Sequence, residues 1–415
     1  MNPSDPVMLR IARWCAFGSA ASVLFSIAVS QILLALAVAA LLMSGARLRW
    51  PPMWLPLALF VAGTLISLAL SDDPAAGIPQ VRKCYVLLEL MVVFSTFDLS
   101  TVRRLYWCWL GIGAAAGALA CMQFAHKIDQ ARAAGRPFYD FYMSERISGF
   151  MSHWNTFSAH MAFVLLLALS FLLFATGVHG RARWLTVAGA AVVGVAMVLG
   201  FTRSIVWLAC PGGGLYLVWR WRRWMAVLVP LVLLAGVAAA PASVKERFTS
   251  MFRPRKDVDS NEFRKVTLRT GWEMIKAHPV FGLGPERPKA LFEKYVPPDI
   301  SRPLPTGWYG HLHSIYIHYA AERGIPTMLA LMWMLAKILL DFLRQARKLP
   351  PGRDDSKFVL HAAVAVVIAV LLEGLFELNL GDSEVLAMFL AIVACGYVAM
   401  EAPAAEARQE ERAVA

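Results

Sequence analysis

Apolar runs recur along the whole chain and are separated by short polar breaks. Runs of about 17–25 apolar residues can cross the roughly 30 Å of hydrocarbon in a bilayer, so we predict twelve membrane-spanning helices. The runs lack strict alternation of apolar and polar positions, which favours helices over a barrel. The predicted spans are residues 14–29, 31–46, 53–71, 84–97, 105–124, 154–178, 184–201, 203–219, 224–241, 326–343, 358–378 and 383–400.

A long polar segment, residues 242–325, separates the ninth predicted span from the tenth. We therefore divide the chain into residues 1–241 with nine spans, residues 242–325 as a connecting segment, and residues 326–415 with three spans and a polar tail. The composition agrees with an all-α polytopic membrane protein surrounded by membrane lipids: 58% of the 415 residues are hydrophobic, 16% are charged, and the mean hydropathy is +0.56. The six cysteines lie in or beside apolar runs, a pattern typical of buried thiols.

The distribution of arginine and lysine predicts the orientation of the spans, because basic residues concentrate in cytoplasmic loops. With both termini in the cytoplasm, every inner loop is basic, and the short outer loops 71–77 and 377–384 are acidic. The connecting segment and the loop 125–153 then lie outside. In a Gram-negative bacterium this arrangement predicts an inner-membrane protein with a periplasmic face.

Four basic residues oppose this rule, because they lie at the outer ends of spans: Arg82, Lys83, Arg146 and Arg203. One interpretation is that these side chains extend to the interface or pair with the acidic outer loops. A second interpretation is an anion site on the outer face. Spans four, eight and ten begin there, and helix N-termini present free N–H groups that bind anions together with arginine.

The stretch RTGWEMIKAHPVFGLG (269–284) predicts an amphipathic helix that ends at Pro279 and the following glycines. Trp272, Ile275 and Val280 are candidates for contact with the bilayer surface. Arg269 is either a solvated side chain or a contact to the anion. The following FGLGPER (281–287), which contains Arg287, is interpreted as a turn, since a nucleotide loop has no role outside the membrane.

The segment GHLHSIYIHYAAERG (310–324) contains three histidines. His311 and His313 precede the apolar helix, whereas His318 lies within it. A spacing of two residues suits a metal only on a strand or loop, and the nearby sequence offers no further ligands to complete a tetrahedral set. We therefore predict no metal. Either His311 or His313 remains a candidate for a general base.

Four stretches in this order resemble the O-antigen ligase/polymerase family of bacterial membrane glycosyltransferases. They are RISGFMSHWN (146–155), FTRS (201–204), RTGW…HPVFGLGP (269–285) and HLHSIYIHYAAERG (311–324). Trp154 replaces a proline of the family pattern, and Ser314 replaces an asparagine. The resemblance implies a GT-C-like helical fold with one large periplasmic loop region between helices nine and ten.

The resemblance also implies roles for individual residues. His313 would be the general base that activates an acceptor hydroxyl, and Arg203 and Arg269 would stabilise the pyrophosphate leaving group. The donor would be an undecaprenyl-pyrophosphate-linked O-antigen and the acceptor lipid A–core, with no cofactor and no nucleic acid. Further candidates for substrate binding are Arg82, Lys83, Arg146, His311 and Arg287.

Three functions therefore remain to be compared. The first is an O-antigen ligase, and the second is an O-antigen polymerase or protein O-oligosaccharyltransferase that shares its chemistry and differs in the acceptor. The third, from another class, is a flippase or transporter of lipid-linked glycans. A transporter would place charged residues through the membrane interior, whereas here the basic residues gather at one rim.

Overall fold

The computed structural model describes residues 6–249 and 261–414, and the described regular structure is helical. The first nine helices are α1 Val7–Ser22, α2 Ile27–Met43, α3 Trp54–Ala69, α4 Pro74–Arg82, α5 Leu88–Thr96, α6 Leu99–Ala133, α7 Phe138–Ser144, α8 Trp154–Phe174 and α9 Gly180–Leu199. The others are α10 Cys210–Trp221, α11 Met225–Ala239, α12 Ala242–Thr249, α13 Asn261–Ala277, α14 Arg287–Ala290, α15 Phe292–Tyr295, α16 Ile315–Arg323, α17 Ile325–Lys348, α18 Asp355–Glu373 and α19 Ser383–Val414.

Within the described ranges, six helices are long and apolar enough to cross a membrane: α6, α8, α9, α17, α18 and the first part of α19. Helices lie in all twelve regions predicted from the sequence, but α2 and α3 are shorter than a full span. The predicted span 84–97 is divided into a 3₁₀ turn, Lys83–Leu87, and the short α5. The polytopic all-α class is confirmed, and the count of twelve spans stays a prediction.

Helices α8, α18 and α19 form the centre of the bundle. Nearly every residue of α18 from Ser356 to Val370 is buried, including positions that would face solvent in an amphipathic helix. Close approach of neighbouring helices makes this possible. A Cβ added at Gly213 of α10 would lie 2.6 Å from the carbonyl oxygen of Ala365 on α18, so a larger residue would force α10 away from the centre.

The connecting segment has a small hydrophobic core of its own. Met274 and Ile275 on one face of α13 pack with Leu312, Ala320 and Ala321, which belong to the segment around α16. The amphipathic helix predicted for this region is confirmed in type, although it begins before residue 269. Trp272 and Val280 are exposed, whereas Ile275 is buried and is not available for the bilayer surface.

The contacts separate the loops into two ends of the bundle. The connecting segment lies with the α3–α4 loop, the α9–α10 turn, the N-terminus of α8 and the loop between α18 and α19. At the other end, Arg103 pairs with Asp355. Asp98 and Asp354 begin α6 and α18 there, since each carboxylate accepts a backbone N–H three residues later. Which end faces the periplasm stays a prediction.

Candidate functional site

His313 lies beside Glu377 at the end of the bundle that carries the connecting segment. The Nδ1 atom of His313 is 3.1 Å from Oε1 of Glu377, and the histidine is only 8% exposed. Two helix ends bring these residues together, because the backbone N–H of Ile315, at the start of α16, donates to the carbonyl of Gly374, just after α18. His313 has a left-handed backbone with φ of 49°, which turns its ring toward the α18–α19 loop.

Glu377 is the hub of this hydrogen-bond network. Besides His313, it accepts a hydrogen bond from Nδ2 of Asn155 at 3.0 Å. It also lies 3.3 Å from Nε2 of His311 and 3.4 Å from Nη2 of Arg264. Burial alone would raise the pKa of Glu377, but the hydrogen bond and charge of His313 and the charge of Arg264 lower it to about 2. Glu377 is therefore a carboxylate, and it can only accept hydrogen bonds.

The tautomer of His311 follows from its neighbours. The backbone N–H of His313 donates to Nδ1 of His311 at 3.1 Å, so Nδ1 carries no proton. Burial lowers the pKa of His311 to about 3, an effect that Glu377 only partly offsets, and the ring is neutral at neutral pH. Its single proton is therefore on Nε2 and points to Glu377.

One nitrogen from each of His311 and His313 and an oxygen of Glu377 lie within 4.8 Å of one another, a spacing that could hold a metal ion. The proton positions fit hydrogen bonding better. A neutral histidine that binds metal through Nε2 carries its proton on Nδ1, and in His311 that atom accepts the His313 backbone N–H. Arg264 adds a positive charge beside the same carboxylate. The residues therefore fit proton transfer more closely than metal coordination.

Four arginines from different parts of the chain lie near one another, and one of them, Arg264, lies beside Glu377. Arg146 precedes α8, Arg203 follows α9, Arg247 lies on α12 and Arg264 on α13. Burial lowers the pKa of Arg146 to about 9, and the charges of the other three arginines add to this effect. Like charges this close repel one another, so the cluster favours binding of an anion.

Two arginine side chains in this cluster have an unused donor. The Nε atoms of Arg146 and Arg264 are buried, and within the part of the chain that the structure describes neither has a hydrogen-bond partner. Unpaired buried donors are costly, at about 1–3 kcal/mol each, and mark places where a ligand completes the site. An oxyanion between the arginines would supply the acceptors.

The turn after α9 shapes the cluster. Phe201 has a left-handed backbone with φ of 54°, and its carbonyl oxygen accepts from Nε of Arg247 at 2.8 Å and Nη1 of Arg146 at 3.4 Å. On the other side, the amide of Gln123 on α6 accepts the backbone N–H groups of Ser148 and Gly149 and so fixes the loop that carries Arg146. These bonds hold the side chains of Arg146 and Arg247 against the turn after α9.

Other basic residues predicted from the sequence lie farther out. Arg269 is exposed and donates to both oxygens of Asp299 at 2.8 Å. Arg287 pairs with Asp72 and Asp73 of the α3–α4 loop. Arg82 and Lys83 are exposed where α4 ends. The structure thus brings together Arg146, Arg203, His311 and His313 and leaves these four at the rim or in ion pairs.

A cavity of about 330 Å³ opens beside His311. Its walls include the rim residues Lys83 and Lys289, the indole of Trp308, and carboxylates of the α18–α19 region and α16. Among the latter, Glu322 accepts the backbone N–H of Glu286 and pairs with Arg323, so it also fixes the segment after α13. The cavity gives a polar molecule access to His311.

Residues 188–332 match the model of the protein family described as O-antigen ligase. This part of the chain is an O-antigen ligase family domain. No curated protein matches the chain. The matched O-antigen ligase domain contains His311, His313 and three of the four clustered arginines, whereas Arg146 and Glu377 lie outside it. Together with the six apolar helices, the match indicates a membrane protein of glycosyltransferase-like type, and the family implies in general a lipid-linked glycan and a lipid acceptor as partners.

Sequence reasoning missed three members of this candidate site: Glu377, Arg247 and Arg264. Glu377 begins the acidic stretch ELNLGDSE, which was interpreted as an outer loop next to the end of the eleventh predicted span and was given no functional role. Arg247 and Arg264 lie among many basic residues of the connecting segment, and nothing in their local sequence separates them from solvated side chains. An acidic residue near the predicted outer end of a span was the one available signal for Glu377.

Proposed function

We propose that the protein is an O-antigen ligase. It transfers an O-antigen glycan from undecaprenyl pyrophosphate to the lipid A–core oligosaccharide on the periplasmic face of the inner membrane. One observation carries the proposal. Arg264, a member of the arginine cluster, lies beside Glu377 of the buried histidine–carboxylate pair and so connects the pair with the cluster. The pair can take up a proton, and the cluster can receive a polyanion.

In the proposed reaction His313 takes the proton of an acceptor hydroxyl. The acceptor oxygen forms a bond to the anomeric carbon of the donor sugar, while the bond from that carbon to the phosphate oxygen breaks. The electron pair leaves with undecaprenyl pyrophosphate, and attack from the opposite face inverts the anomeric centre. General-base catalysis of this kind contributes about 10²–10⁴ in rate.

The arginines would act on the leaving group. Negative charge develops on the bridging phosphate oxygen as the bond breaks, and fixed cations in a buried site stabilise that charge. We assign this role to Arg146, Arg203 and Arg264, with Arg269 as a further contact from the rim. Four guanidinium groups could replace the divalent cation that neutralises pyrophosphate in other transferases, and we propose that transfer proceeds without a metal.

A reconstituted assay tests the proposal. Purified protein, lipid-linked glycan and lipid A–core should give a ligated product in the presence of a strong chelator. His313→Asn should reduce the rate at least about 10²-fold, and Arg146→Gln by about 10²–10³-fold. The matched control is Arg132→Gln, since Arg132 is 78% exposed at the tip of α6. Full activity of His313→Asn, or rescue of chelated enzyme only by Mg²⁺ or Mn²⁺, would contradict the proposed mechanism.

A deletion strain separates the ligase from its relatives with the same chemistry. Loss of a ligase leaves long carrier-linked chains and a lipopolysaccharide without O-antigen. Loss of a polymerase leaves a single repeat attached to the core. Loss of a protein O-oligosaccharyltransferase changes glycoproteins and leaves lipopolysaccharide intact. The first pattern is expected, and either of the others would replace the proposed acceptor.

A further inference from the structure

We infer that Glu377 is the positioning residue of His313, and that Arg264 couples it to the donor anion. In this arrangement Glu377 holds the proton of His313 on Nδ1, so that Nε2 receives the proton of the acceptor. Arg264 is shared between Glu377 and the arginine cluster, and donor binding therefore changes how strongly Glu377 supports the base. The inference rests on the proposed function and deepens it.

The proton on Nδ1 follows from the acceptors beside that atom. Both oxygens of Glu377 face Nδ1 of His313, at 3.1 and 3.4 Å, and a carboxylate can only accept. Nδ1 therefore carries the proton. Such a carboxylate–histidine pair fixes ring orientation and stabilises the imidazolium that forms when the base accepts a second proton.

The other nitrogen, Nε2, lies beside Trp308, a residue of the cavity wall. It lies 3.2 Å from the carbonyl oxygen of Trp308, whose side chain is 59% exposed and forms part of the cavity wall. A carbonyl oxygen can only accept, so this contact favours a proton on Nε2, and Nε2 can act as the base only after that proton has left. An acceptor hydroxyl that displaces this carbonyl would donate to Nε2, which is the geometry that proton abstraction requires.

Arg264 lies near both Glu377 and Arg146. Its Nη2 atom is 3.4 Å from Oε2 of Glu377, a long contact, while its buried Nε has no hydrogen-bond partner in the described part of the chain. A pyrophosphate in the cluster carries more charge than one carboxylate and would attract this guanidinium. With Arg264 drawn away, the charge of Glu377 acts more fully on His313, and the imidazolium becomes more stable.

Other charged groups also face the pair and must be held constant in any comparison of pH profiles. They come from every element packed against it and are His311, His318, His153, Arg146, Glu373 and Asp382. The test therefore changes one residue at a time. It measures kcat/KM for the acceptor as a function of pH at saturating donor, and it follows the acidic limb of that profile.

Glu377→Gln and Arg264→Gln should move this limb in opposite directions. Loss of the Glu377 charge destabilises the imidazolium, so the limb moves to lower pH and kcat falls about 10²-fold or more, while KM for the donor changes little. Loss of the Arg264 charge lets the charge of Glu377 act more fully on His313. The imidazolium is then more stable, so the limb moves to higher pH. Glu377→Asp should recover part of kcat, and Arg264→Lys should leave the limb in place.

A purely structural role of either residue would lower the yield of folded protein and leave both limbs where they are. Unmoved limbs, or limbs that move in the same direction, would overturn the inference. If Glu377→Gln does not fold, the upward movement in Arg264→Gln decides the question. His313→Asn in the same assay separates the two proposals. If His313→Asn is fully active, the proposed base is refuted. If His313→Asn is inactive while Glu377→Gln keeps the kcat and pH profile of the wild type, only the inference is refuted.

Discussion

The guanidinium of Arg287 donates to both carboxylate oxygens of Asp72, each at 2.7 Å. This hydrogen-bonded pair holds the pKa of Asp72 below its ordinary value, and Asp73 lies 3.5 Å from the same arginine. It joins the start of α14 to the α3–α4 loop, residues that are far apart in the sequence. Arg287 is thereby engaged in a structural contact, although the sequence suggested a substrate contact.

Arg287→Gln should leave donor and acceptor KM within about threefold of the wild type. The pair is exposed on the Asp72 side, so it should contribute about 1 kcal/mol or less and shift the melting temperature by at most about 2–4 °C. Thermal melts and steady-state kinetics of the purified protein measure both effects. The reversed pair, Asp72→Arg with Arg287→Asp, should recover the melting temperature. A hundredfold loss of transfer in folded Arg287→Gln would instead place this residue at the substrate.

Asp299→Asn should lower KM for the donor several-fold. Arg269 is held by both oxygens of Asp299 in this structure, so removal of that charge frees the guanidinium for the pyrophosphate. Arg269→Gln should raise the same KM about tenfold, in line with a charge-assisted contact of 1–2 kcal/mol. The control is Glu293→Gln, since Glu293 forms a comparable exposed pair with Arg302. Unchanged kinetics in both Asp299→Asn and Arg269→Gln would leave Arg269 a surface residue.

Stability should fall in mild acid because of His311. Burial lowers its pKa from 6.5 to about 3, so between these values the unfolded chain binds a proton that the folded protein does not. The stabilisation is complete above pH 6.5 and decreases by up to about 1.4 kcal/mol per pH unit as the pH falls toward 3. Melts at pH 7.5 and 5 should differ less for His311→Asn than for the wild type or His126→Asn. Equal differences in all three proteins would contradict this origin.

Gly324→Ala should prevent accumulation of folded protein. Gly324 has φ of 84° between α16 and α17, and an added Cβ would lie 1.9 Å from the carbonyl oxygen of Val280. Gly352 has φ of 110° with no atom within 4 Å of its Cβ position, so Gly352→Ala carries only the backbone cost of about 1 kcal/mol. Size-exclusion profiles of the two variants after solubilisation compare the steric clash in Gly324→Ala with the backbone strain alone in Gly352→Ala. Similar yields would show that Val280 can move aside.

The sequence predicted the class of fold and the residues whose role follows from type and position. Arg146 and Arg203 were recognised because they oppose the charge rule, and the structure brings them together. Glu377 was missed because it lies 64 residues after its partner His313, and only tertiary packing brings the two into contact. No local pattern encodes such a pair.

The rotation of a helix about its own axis is also not evident from the sequence. Arg264 and Arg269 are five residues apart on α13, and only the docking of that helix on α16 decides that Arg264 turns inward while Arg269 meets Asp299. The number of spans depends on a similar detail. A turn such as Lys83–Leu87 interrupts an apolar run without changing its composition, so hydropathy alone cannot locate it.

Helix α6 has 35 residues and is therefore about 52 Å long, well beyond the hydrocarbon thickness of a bilayer. Arg103 near its start contacts Asp355 at one end of the bundle, and Gln123 braces the arginine loop at the other. Its exposed tip at Arg132 extends beyond Gln123, at the end of the bundle that carries the candidate site. An antibody fragment or a fluorescent label fixed at the tip of α6 would report the position of the loop that carries Arg146 during turnover.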